Sequence, residues 1–244
     1  MKTRADHLLV ARELAPTRAK AQALILAGKV YVGEVRIDKA GQLLAEDAAI
    51  SVRGEDHPYV SRGGVKLAGA LDTFGVDPRG KRCLDLGAST GGFTDCLLQR
   101  GAVAVAAVDV GYGQLAHSLR VDARVQNLER TNARTLMPDV IGGACELVVV
   151  DASFIGLGKL AEAIARCTVP GGELVALVKP QFEVGRDEAS RSKGVVRDPE
   201  VRARAIEDAV LDVKAAGFEI RGTADCVIEG PKGNLEAFVY ARKT

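Results

Sequence analysis

The sequence predicts an α/β protein with a mostly parallel sheet and an antiparallel hairpin at one sheet edge, preceded by a small α+β domain. From residue 61 onward, short β-branched runs alternate with helix-like stretches, an order typical of a parallel sheet covered on both faces. Before residue 55, two short helical patterns precede short alternating strands. A length of 244 residues accommodates one large and one small domain.

The small domain is predicted to span residues 1–55. Its second helix runs from Arg18 to Ala27 with Thr17 as the N-cap, and residues 29–33 and 50–52 alternate as half-buried strands. Its first 40 residues contain eight Lys or Arg and four Asp or Glu, whereas the whole chain has 33 against 32. The basic surface is therefore expected to be local rather than a property of the whole protein.

Four strings in the small domain form a series. They read R4-A-D6-H-L-L, P16-T-R18-A-K20-A, G28-K29-V-Y-V-G33 and D47-A-A-I-S-V. The series resembles the alpha-L RNA-binding domain typified by ribosomal protein S-four, although the strand turn reads V-G-E where that family commonly has V-N-G. Basic residues on helices are by themselves more often a solvated face than a phosphate-binding one. The resemblance implies that four of them contact RNA phosphates: Arg4, Arg18, Lys20 and Lys29.

The polar stretch 53–60, which contains Gly and Pro, predicts a linker there; we place the linker at residues 56–60 and a second domain at 61–244. Four apolar runs in this domain predict parallel strands, and two later runs joined by a Gly-Pro-Lys-Gly turn predict the edge hairpin. The six predicted strands are Arg82–Leu86, Val103–Val108, Leu147–Val150, Leu174–Val178, Phe218–Ile228 and Leu235–Tyr240.

A glycine-rich turn follows the first strand of the large domain, in the string C83-L-D-L-G-A-S-T-G-G-F-T-D-C-L-L. Its glycines allow a ligand to approach the backbone closely, and the next helix presents free N–H groups to that ligand. The dinucleotide-binding pattern G-x-G-x-x-G is absent. Asp109 ends the second strand, where a carboxylate can accept both ribose hydroxyls of a nucleoside. Together these features favour a nucleotide-like cofactor.

The string D-L-G-A-S-T-G-G-F-T together with Asp109 resembles the first two motifs of the class I S-adenosylmethionine-dependent methyltransferases, which have a Rossmann-like fold. This resemblance implies S-adenosylmethionine as the cofactor, with its methionine end at the loop, its ribose at the acidic strand end, and its amino group near Asp85. Asn132 is a further candidate beside the adenine. The implied cofactor residues are Asp85, Gly87, Ser89, Gly91, Phe93, Thr94 and Asp109.

Charged residues also stand near the ends of other predicted strands. Asp151 and Lys179 each follow an apolar run, so both are expected at the ligand-binding edge of a parallel sheet. Glu236 belongs to the edge hairpin, and Lys66 to a helix before the first strand. A single charged residue at a strand end is more often solvated than catalytic. Methyl transfer to a hydroxyl needs a general base, however, and a neutral lysine can serve as one.

In order and context, Lys66, Asp151, Lys179 and Glu236 match the Lys-Asp-Lys-Glu tetrad of the FtsJ-like ribose 2'-O-methyltransferases. That resemblance implies Lys179 as the base, with Asp151 and Glu236 orienting it. It also implies that Lys66 positions or polarises the target ribose. Such a reaction requires no metal and no covalent enzyme intermediate, so most of the catalysis is expected from positioning and electrostatics.

Over essentially its whole length the chain resembles the TlyA (hemolysin A) family of ribosomal RNA 2'-O-methyltransferases. The most specific strings are Y59-V-S-R-G-G-V-K-L, D-A-S-F-I and K-P-Q-F-E-V-G. The family implies a cytidine ribose of ribosomal RNA as the target, and ribosomal RNA or a ribosomal subunit as the partner. The basic stretch 185–194 either folds against RNA or is a solvated surface loop. The target nucleotide and the oligomeric state stay open.

Three other functions are weighed against this one. Base methyltransferases acting on exocyclic amines usually carry an Asn/Asp-Pro-Pro-aromatic motif, whereas this chain reads Asp151-Ala-Ser-Phe154. An RNA-binding assembly factor with a vestigial enzyme domain would not need intact cofactor and tetrad positions. A cytolysin, suggested by the family's other name, lacks support because no signal peptide, spanning helix or long amphipathic basic helix is seen.

Composition narrows the setting further. The five cysteines are scattered without a C-x-x-C pair or a nearby histidine at ligand spacing, which argues against a zinc site. No run approaches the roughly 18 apolar residues of a spanning helix. We therefore expect a cytoplasmic protein that has no metal and does not bind a membrane.

Overall fold

The structure is a computed structural model, and it describes residues 2–33, 35–52, 57–184, 194–230 and 233–244. The chain divides into two compact units, Met1–Asp56 and His57–Thr244. The domain boundaries suggested by the sequence, at residues 55 and 61, stay a prediction.

The first unit combines two helices with two small antiparallel sheets. The helices are α1 (Ala5–Ala11) and α2 (Arg18–Leu26), and the strands are β1 (Lys2–Arg4), β2 (Val30–Val32), β3 (Val35–Arg36), β4 (Leu43–Ala45) and β5 (Ile50–Val52). Strand β1 pairs with β4, and β2 pairs with both β3 and β5. Strands β1, β3 and β4 were not predicted, because Lys-Thr-Arg, Val-Arg and Leu-Leu-Ala lack the apolar-polar-apolar alternation of Ile-Ser-Val in β5.

Local sequence explains where α2 begins and ends. The Thr17 hydroxyl accepts a hydrogen bond from the Lys20 backbone N–H at 3.2 Å, so the predicted N-cap is confirmed. Gly28 follows the helix with a φ of +67°, a conformation that favours glycine. Leu24 and Ile25 of α2 are buried in the core of the unit, which also contains Leu9 of α1. Glu34, in the V-G-E turn, lies outside the described residues.

The second unit contains one seven-stranded sheet and helices on both of its faces. Its strands are β6 (Arg82–Leu86), β7 (Ala104–Val108), β8 (Val125–Leu128), β9 (Cys145–Val150), β10 (Thr168–Val178), β11 (Phe218–Asp225) and β12 (Ala237–Lys243). Its helices are α3 (Gly63–Phe74), α4 (Gly92–Gln99), α5 (His117–Arg120), α6 (Gly158–Cys167), α7 (Pro180–Glu183) and α8 (Pro199–Ala215). Two short 3-10 helices follow β8, at Ala133–Thr135 and Pro138–Ile141.

The strand order is β11-β12-β10-β9-β6-β7-β8. The five strands from β10 to β8 pair in parallel, and β12 is antiparallel to both β10 and β11. The predicted α/β fold, with its mostly parallel sheet and antiparallel edge hairpin, is confirmed. Because the parallel strands share one direction, the residues that follow β6, β7, β9 and β10 lie at the same edge of the sheet.

Alternation along the strands explains how both faces are covered. In β9, Leu147 and Val149 pack in one core cluster, which includes residues of α3, α4 and α5. Val148 and Val150 pack in a second cluster, which includes residues of α6 and α8. All four side chains are buried, as expected of a central parallel strand.

Several strand bounds differ from the prediction. Strand β8 was missed because V-Q-N-L is only half apolar and lies at a sheet edge. Strand β10 begins at Thr168 and crosses Pro170 and two glycines, with a register shift between Thr168 and Glu173, whereas the prediction began at Leu174. Strand β11 ends at Asp225, before the predicted Ile228.

Residues 57–60, assigned to a linker by the sequence, contact the second unit directly. The Val60 backbone N–H donates to Asp95 at 2.8 Å, and Tyr59 packs so closely on Gly64 that a Cβ there would lie 2.2 Å from its ring. This segment is therefore held in place by α3 and α4. Residue 56 of the predicted linker and the basic stretch 185–193 lie outside the described residues.

Candidate active site and RNA-binding residues

The glycine-rich turn between β6 and α4 contacts the end of the neighbouring strand β9. Gly87 and Gly91 have φ values of +88° and +96°, in the region that favours glycine. A Cβ on Gly87 would lie 2.8 Å from the Asp151 carbonyl oxygen, and one on Gly91 would lie 2.3 Å from Leu119. The turn thus needs glycine at both positions, and its backbone is packed against a predicted tetrad residue.

Asp109 is fixed at the end of β7 by two backbone N–H groups. Ser89 donates to Oδ2 at 2.8 Å, and Gly111 donates to Oδ1 at 2.7 Å. A carboxylate oxygen can accept more than one hydrogen bond, so both oxygens keep the capacity to bind ribose hydroxyls. The contact also joins the glycine-rich turn to the acidic strand end.

A cavity of about 360 Å³ opens beside this turn and has the size of a small-molecule site. Gly87, Ser89 and Asp109 line it, and so does Asn132, the candidate neighbour of an adenine. Other lining residues, which the sequence did not single out, are Gly111, Gln114, Thr131, Ile155 and Leu160. Of the remaining predicted cofactor residues, Asp85, Gly91 and Thr94 do not line it, and Phe93 lines the neighbouring cavity.

Asp85 is a fully buried carboxyl group next to the turn. Thr94 donates a hydrogen bond to its Oδ2 at 2.7 Å, while Oδ1 has no partner within the described residues. Burial raises the pKa of Asp85 to about 7, although the Thr94 hydrogen bond opposes the shift. An orphaned carboxylate oxygen fits a cationic group, such as the amino group of an amino-acid moiety, as its missing partner.

The four tetrad residues form two ion pairs at the edge of the sheet. Lys179, after β10, lies with its Nζ 2.6 Å from Oδ1 of Asp151, which follows β9. Lys66 of α3 lies with its Nζ 2.5 Å from Oε2 of Glu236, directly before β12. Both lysine side chains are about nine-tenths buried, and Glu236 is fully buried. The sequence-predicted set is therefore brought together.

The pairing differs in one respect from the predicted roles. Glu236 was expected to orient Lys179, but it contacts Lys66. The second contact of Lys179 is instead with Ser153, whose hydroxyl lies 2.8 Å from the lysine Nζ. The prediction missed Ser153, which stands two residues after Asp151 in the D-A-S string.

Three tetrad residues, Lys66, Asp151 and Lys179, line a second cavity of about 270 Å³. It shares Gly87, Ser89, Asp151 and Ser153 with the first cavity, so the two spaces adjoin. Ser61, Arg62 and Glu229 also line it; the sequence assigned no role to any of them, although Ser61 and Arg62 belong to the string Y59-V-S-R-G-G-V-K-L. One cavity therefore lies beside the Asp109 carboxylate, and the other beside two buried amines.

In the first unit, two of the four predicted RNA-binding residues share one carboxylate. Arg4 donates to both oxygens of Asp6, at 3.0 and 3.1 Å, and Arg18 donates to Oδ2 at 2.9 Å. Hydrogen bonding from Arg4 is the main cause that holds the pKa of Asp6 well below its usual range. The Lys20 side chain is exposed, and Lys29 is half-buried.

The described residues contain neither a cluster of metal-ligating side chains nor a membrane-spanning helix. No group of three or more His, Cys, Asp or Glu side chains is arranged to hold a metal ion. Among the helices of the described residues, none combines the length and the apolar character that a membrane span requires. The five cysteines are free thiols, and four of them are buried.

Comparison with protein families gives two matches. Residues 59–243 match the model of the FtsJ-like methyltransferase family, and residues 3–50 match the S4 domain. Among curated proteins, the chain is 46% identical over 242 residues to the "16S/23S rRNA (cytidine-2'-O)-methyltransferase TlyA" of Mycobacterium tuberculosis. That alignment covers 99% of this chain and 90% of the relative.

Solved structures with a similar fold are also known. One named "Putative hemolysin from Streptococcus thermophilus" is 39% identical, with a TM-score of 0.77, and the match covers 100% of this chain and 89% of that one. An S-adenosylmethionine dependent methyltransferase from Mesorhizobium loti is 17% identical, with a TM-score of 0.51, and the match covers 72% of this chain and 96% of that one. The second likeness concerns the fold alone.

Proposed function

Since the chain belongs to the FtsJ-like methyltransferase family, and to the TlyA group of rRNA methyltransferases within it, we propose that it methylates the 2'-hydroxyl of a cytidine ribose in ribosomal RNA. The observation that carries this proposal is the pair of adjoining cavities, one beside Asp109 and the other beside the buried ion pairs of Lys66 and Lys179. A donor and an acceptor can then meet at the shared residues.

The first cavity is assigned to S-adenosylmethionine, which supplies the methyl group from its sulfonium when bound. Asp109 would hold the ribose hydroxyls, and Asn132 would lie beside the adenine. Gly87 and Ser89 would shape the wall toward the methionine end, and the orphaned Oδ1 of Asp85 would attract the positively charged amino group. Gly91 and Thr94 act indirectly, by holding the turn and the Asp85 carboxyl.

The second cavity is assigned to the target ribose. Lys179 is assigned as the general base: once its ammonium has given up a proton to solvent, the neutral amine can take the proton of the 2'-hydroxyl as that oxygen accepts the methyl group. The residue lines this cavity, and Asp151 and Ser153 hold its Nζ in place. A fixed amine near the reacting oxygen lowers the barrier mainly through positioning. Phe93 forms part of the wall of the same cavity.

Lys66 and Glu236 are assigned to ribose positioning rather than to proton transfer. Lys66 lines the cavity and donates to Glu236, whose second oxygen has no hydrogen-bond partner within the described residues. The ammonium of Lys66 has three donors, so it can hold Glu236 and still donate to a ribose oxygen. This contact orients the acceptor toward Lys179.

The S4 domain is assigned to the RNA partner, either free ribosomal RNA or a ribosomal subunit, through Arg4, Arg18, Lys20 and Lys29. Backbone phosphates are the natural ligands of such residues, and their contribution falls with rising salt. An enzyme with this substrate would act in the cytoplasm. We further propose that residues 1–55 and 61–244 correspond to the RNA-binding and methyltransferase domains.

Methyl transfer to purified ribosomal subunits tests this function. Unmodified large and small subunits are incubated with radiolabelled S-adenosylmethionine, and the 2'-O-methyl sites are mapped. We expect label on a cytidine ribose and none with Lys179→Ala. Label on a base, or equal labelling by the mutant, would contradict the assignment of the reaction or of the base.

A binding-only assembly factor makes the opposite prediction. It would bind subunits but leave them unlabelled, and its action would not depend on Lys179. Lysis of erythrocytes by the purified protein, unchanged in Lys179→Ala, would instead favour a cytolysin.

A further inference from the structure

Asp6 is an unusual centre of polar contacts in the first unit. Its side chain is fully buried, yet three side chains from two other elements donate to it: Arg4 from β1, and Arg18 and Gln22 from α2. The Gln22 contact is 2.9 Å long, and the His7 backbone N–H adds a fourth donor at 3.1 Å. A buried carboxylate thus joins the start of the chain to the second helix.

The arginines use only part of their guanidinium groups for this contact. Arg4 contacts Asp6 through Nε and Nη2, and Arg18 through Nε. Their side chains remain 43% and 54% exposed. A guanidinium has five N–H donors in a rigid plane, so each arginine keeps donors that can reach a partner from solvent.

We propose that Asp6 is a positioning residue for RNA binding, which holds the guanidinium planes of Arg4 and Arg18 in a fixed orientation for the same stretch of RNA backbone. This inference rests on the proposed role of Arg4 and Arg18 in RNA binding. It adds a negatively charged residue, which RNA phosphates would repel, and this residue acts only through the two arginines that it holds.

The physical reason is preorganisation. A free arginine loses side-chain conformational entropy when it is immobilised, and an arginine already held in place loses less on binding. Asp6 also reduces the net charge of the cluster from two positive charges to one. Charge alone would therefore make Asp6 unfavourable for RNA binding, whereas positioning makes it favourable, and the two effects have opposite signs.

The test uses the full-length protein, with unmodified ribosomal subunits as the ligand, at two salt concentrations. Asp6→Asn keeps the shape of the side chain and removes one negative charge. Positioning predicts that the dissociation constant rises roughly tenfold, on the scale of one lost charge-assisted contact. The KM for subunits should rise with it, while kcat and the affinity for S-adenosylmethionine stay the same.

Asp38→Asn is the matched control. Asp38 lies in the same unit and pairs with Arg36, with both side chains more than half exposed. Its loss removes the same charge without touching the Asp6 cluster, so subunit binding should become equal to or slightly tighter than that of the unchanged protein. Asp6→Asn with unchanged or tighter binding would overturn the inference.

Arg18→Lys guards against a folding defect in the buried Asp6 variant, because Arg18 is half exposed. Lysine keeps the positive charge but lacks the planar fork, so positioning predicts nearly the loss seen with Arg18→Ala. If Arg18→Lys bound subunits as tightly as the unchanged protein does, the inference would be overturned, even if Asp6→Asn bound them weakly. If Arg4→Ala and Arg18→Ala both bind normally, the proposed RNA contacts themselves are wrong.

Discussion

Two buried carboxylates, one in each unit, differ in their affinity for protons. Asp6 and Asp85 are both fully buried. The pKa of Asp6 is held well below its usual range, mainly by the Arg4 hydrogen bond, whereas burial raises the pKa of Asp85 to about 7. Asp6 has two guanidinium partners, and Asp85 has one hydroxyl. The partner, and not burial alone, therefore decides whether a buried carboxyl is charged.

The paired cations of the two units differ in how far their side chains are exposed to solvent. Arg4 and Arg18 are about half exposed, so they can take an additional partner from solvent. Lys66 and Lys179 are about nine-tenths buried, so only a molecule that enters the cavity can reach them. The first arrangement suits a large, charged surface, and the second suits a single reacting group.

The largest effect is expected from removing an enclosed cation. Lys179→Ala should lower kcat for ribose methylation by about 10²- to 10⁴-fold, the range for loss of a general base, because no other described contact places an amine beside Asp151 and Ser153. The affinity for S-adenosylmethionine, measured by calorimetry, should stay nearly the same. Lys81→Ala is the control, since Lys81 pairs with Glu173 outside both cavities, and an equal loss there would refute the prediction.

The next effect concerns stability rather than catalysis. Glu236→Ala leaves Lys66 as a buried, unpaired cation and should lower the free energy of unfolding by about 3–5 kcal/mol. The double variant Lys66→Met with Glu236→Leu removes both charges and should regain most of that stability in urea unfolding. It should nevertheless stay inactive. A double variant as unstable as the single one would show that packing, and not the ion pair, explains the loss.

Asp85 gives a pH dependence of known sign. Its pKa is about 7 in the folded protein and near 4 when unfolded, so between these values the folded state binds more protons. The free energy of unfolding should therefore fall as the pH rises from 4 to 7, by at most about 4 kcal/mol from this group. Asp85→Asn should lack this fall, which urea unfolding at several pH values measures. An unchanged profile would exclude Asp85 as its cause.

Asp6 should show the opposite pH dependence. Because its folded pKa is lowered, its contribution to stability is fully present above the ordinary aspartate pKa and is lost only as the pH falls below that value. The difference in unfolding free energy between the unchanged protein and Asp6→Asn should therefore be constant near neutral pH and shrink in acid. A difference that grows in acid would contradict the assigned charge of Asp6.

The smallest effect is expected at an exposed ion pair. Arg36 and Asp38 are 2.7 Å apart with both side chains exposed, so Asp38→Asn should change the free energy of unfolding by less than about 1 kcal/mol. Thermal unfolding in low and high salt measures this change. A larger loss of stability would mean that exposure to solvent does not explain why the Arg36–Asp38 pair contributes less than the buried Lys66–Glu236 pair.

Much of the candidate site was predictable because several of its residues stand directly after a strand. Asp109, Asp151 and Lys179 each come directly after an apolar run, and parallel strands bring such positions to one edge. The resemblance to the tetrad then added Lys66 and Glu236. Ser153 was missed because a serine two residues after an aspartate has no special pattern until the lysine is placed against it.

The edge hairpin shows what the local sequence pattern could not predict, namely the order of its two strands in the sheet. Two strands were predicted, but not which of them is outermost. Strand β12 is buried over Ala237–Val239 and lies inside, while β11 alternates between buried or half-buried and exposed residues and forms the edge. Only the inner strand has neighbours on both sides, which explains the difference in burial.

The sequence by itself determined the order of most elements, the strand ends at which candidate site residues stand and the family to which the chain belongs. These depend on apolar periodicity and on short strings, which are properties of neighbouring residues. Only the tertiary structure decided that Glu236 pairs with Lys66, that Asp6 holds Arg4 and Arg18, and that Asp85 has a raised pKa. Ion pairing and proton affinity depend on distances and burial between residues far apart in the chain, and folding alone sets both.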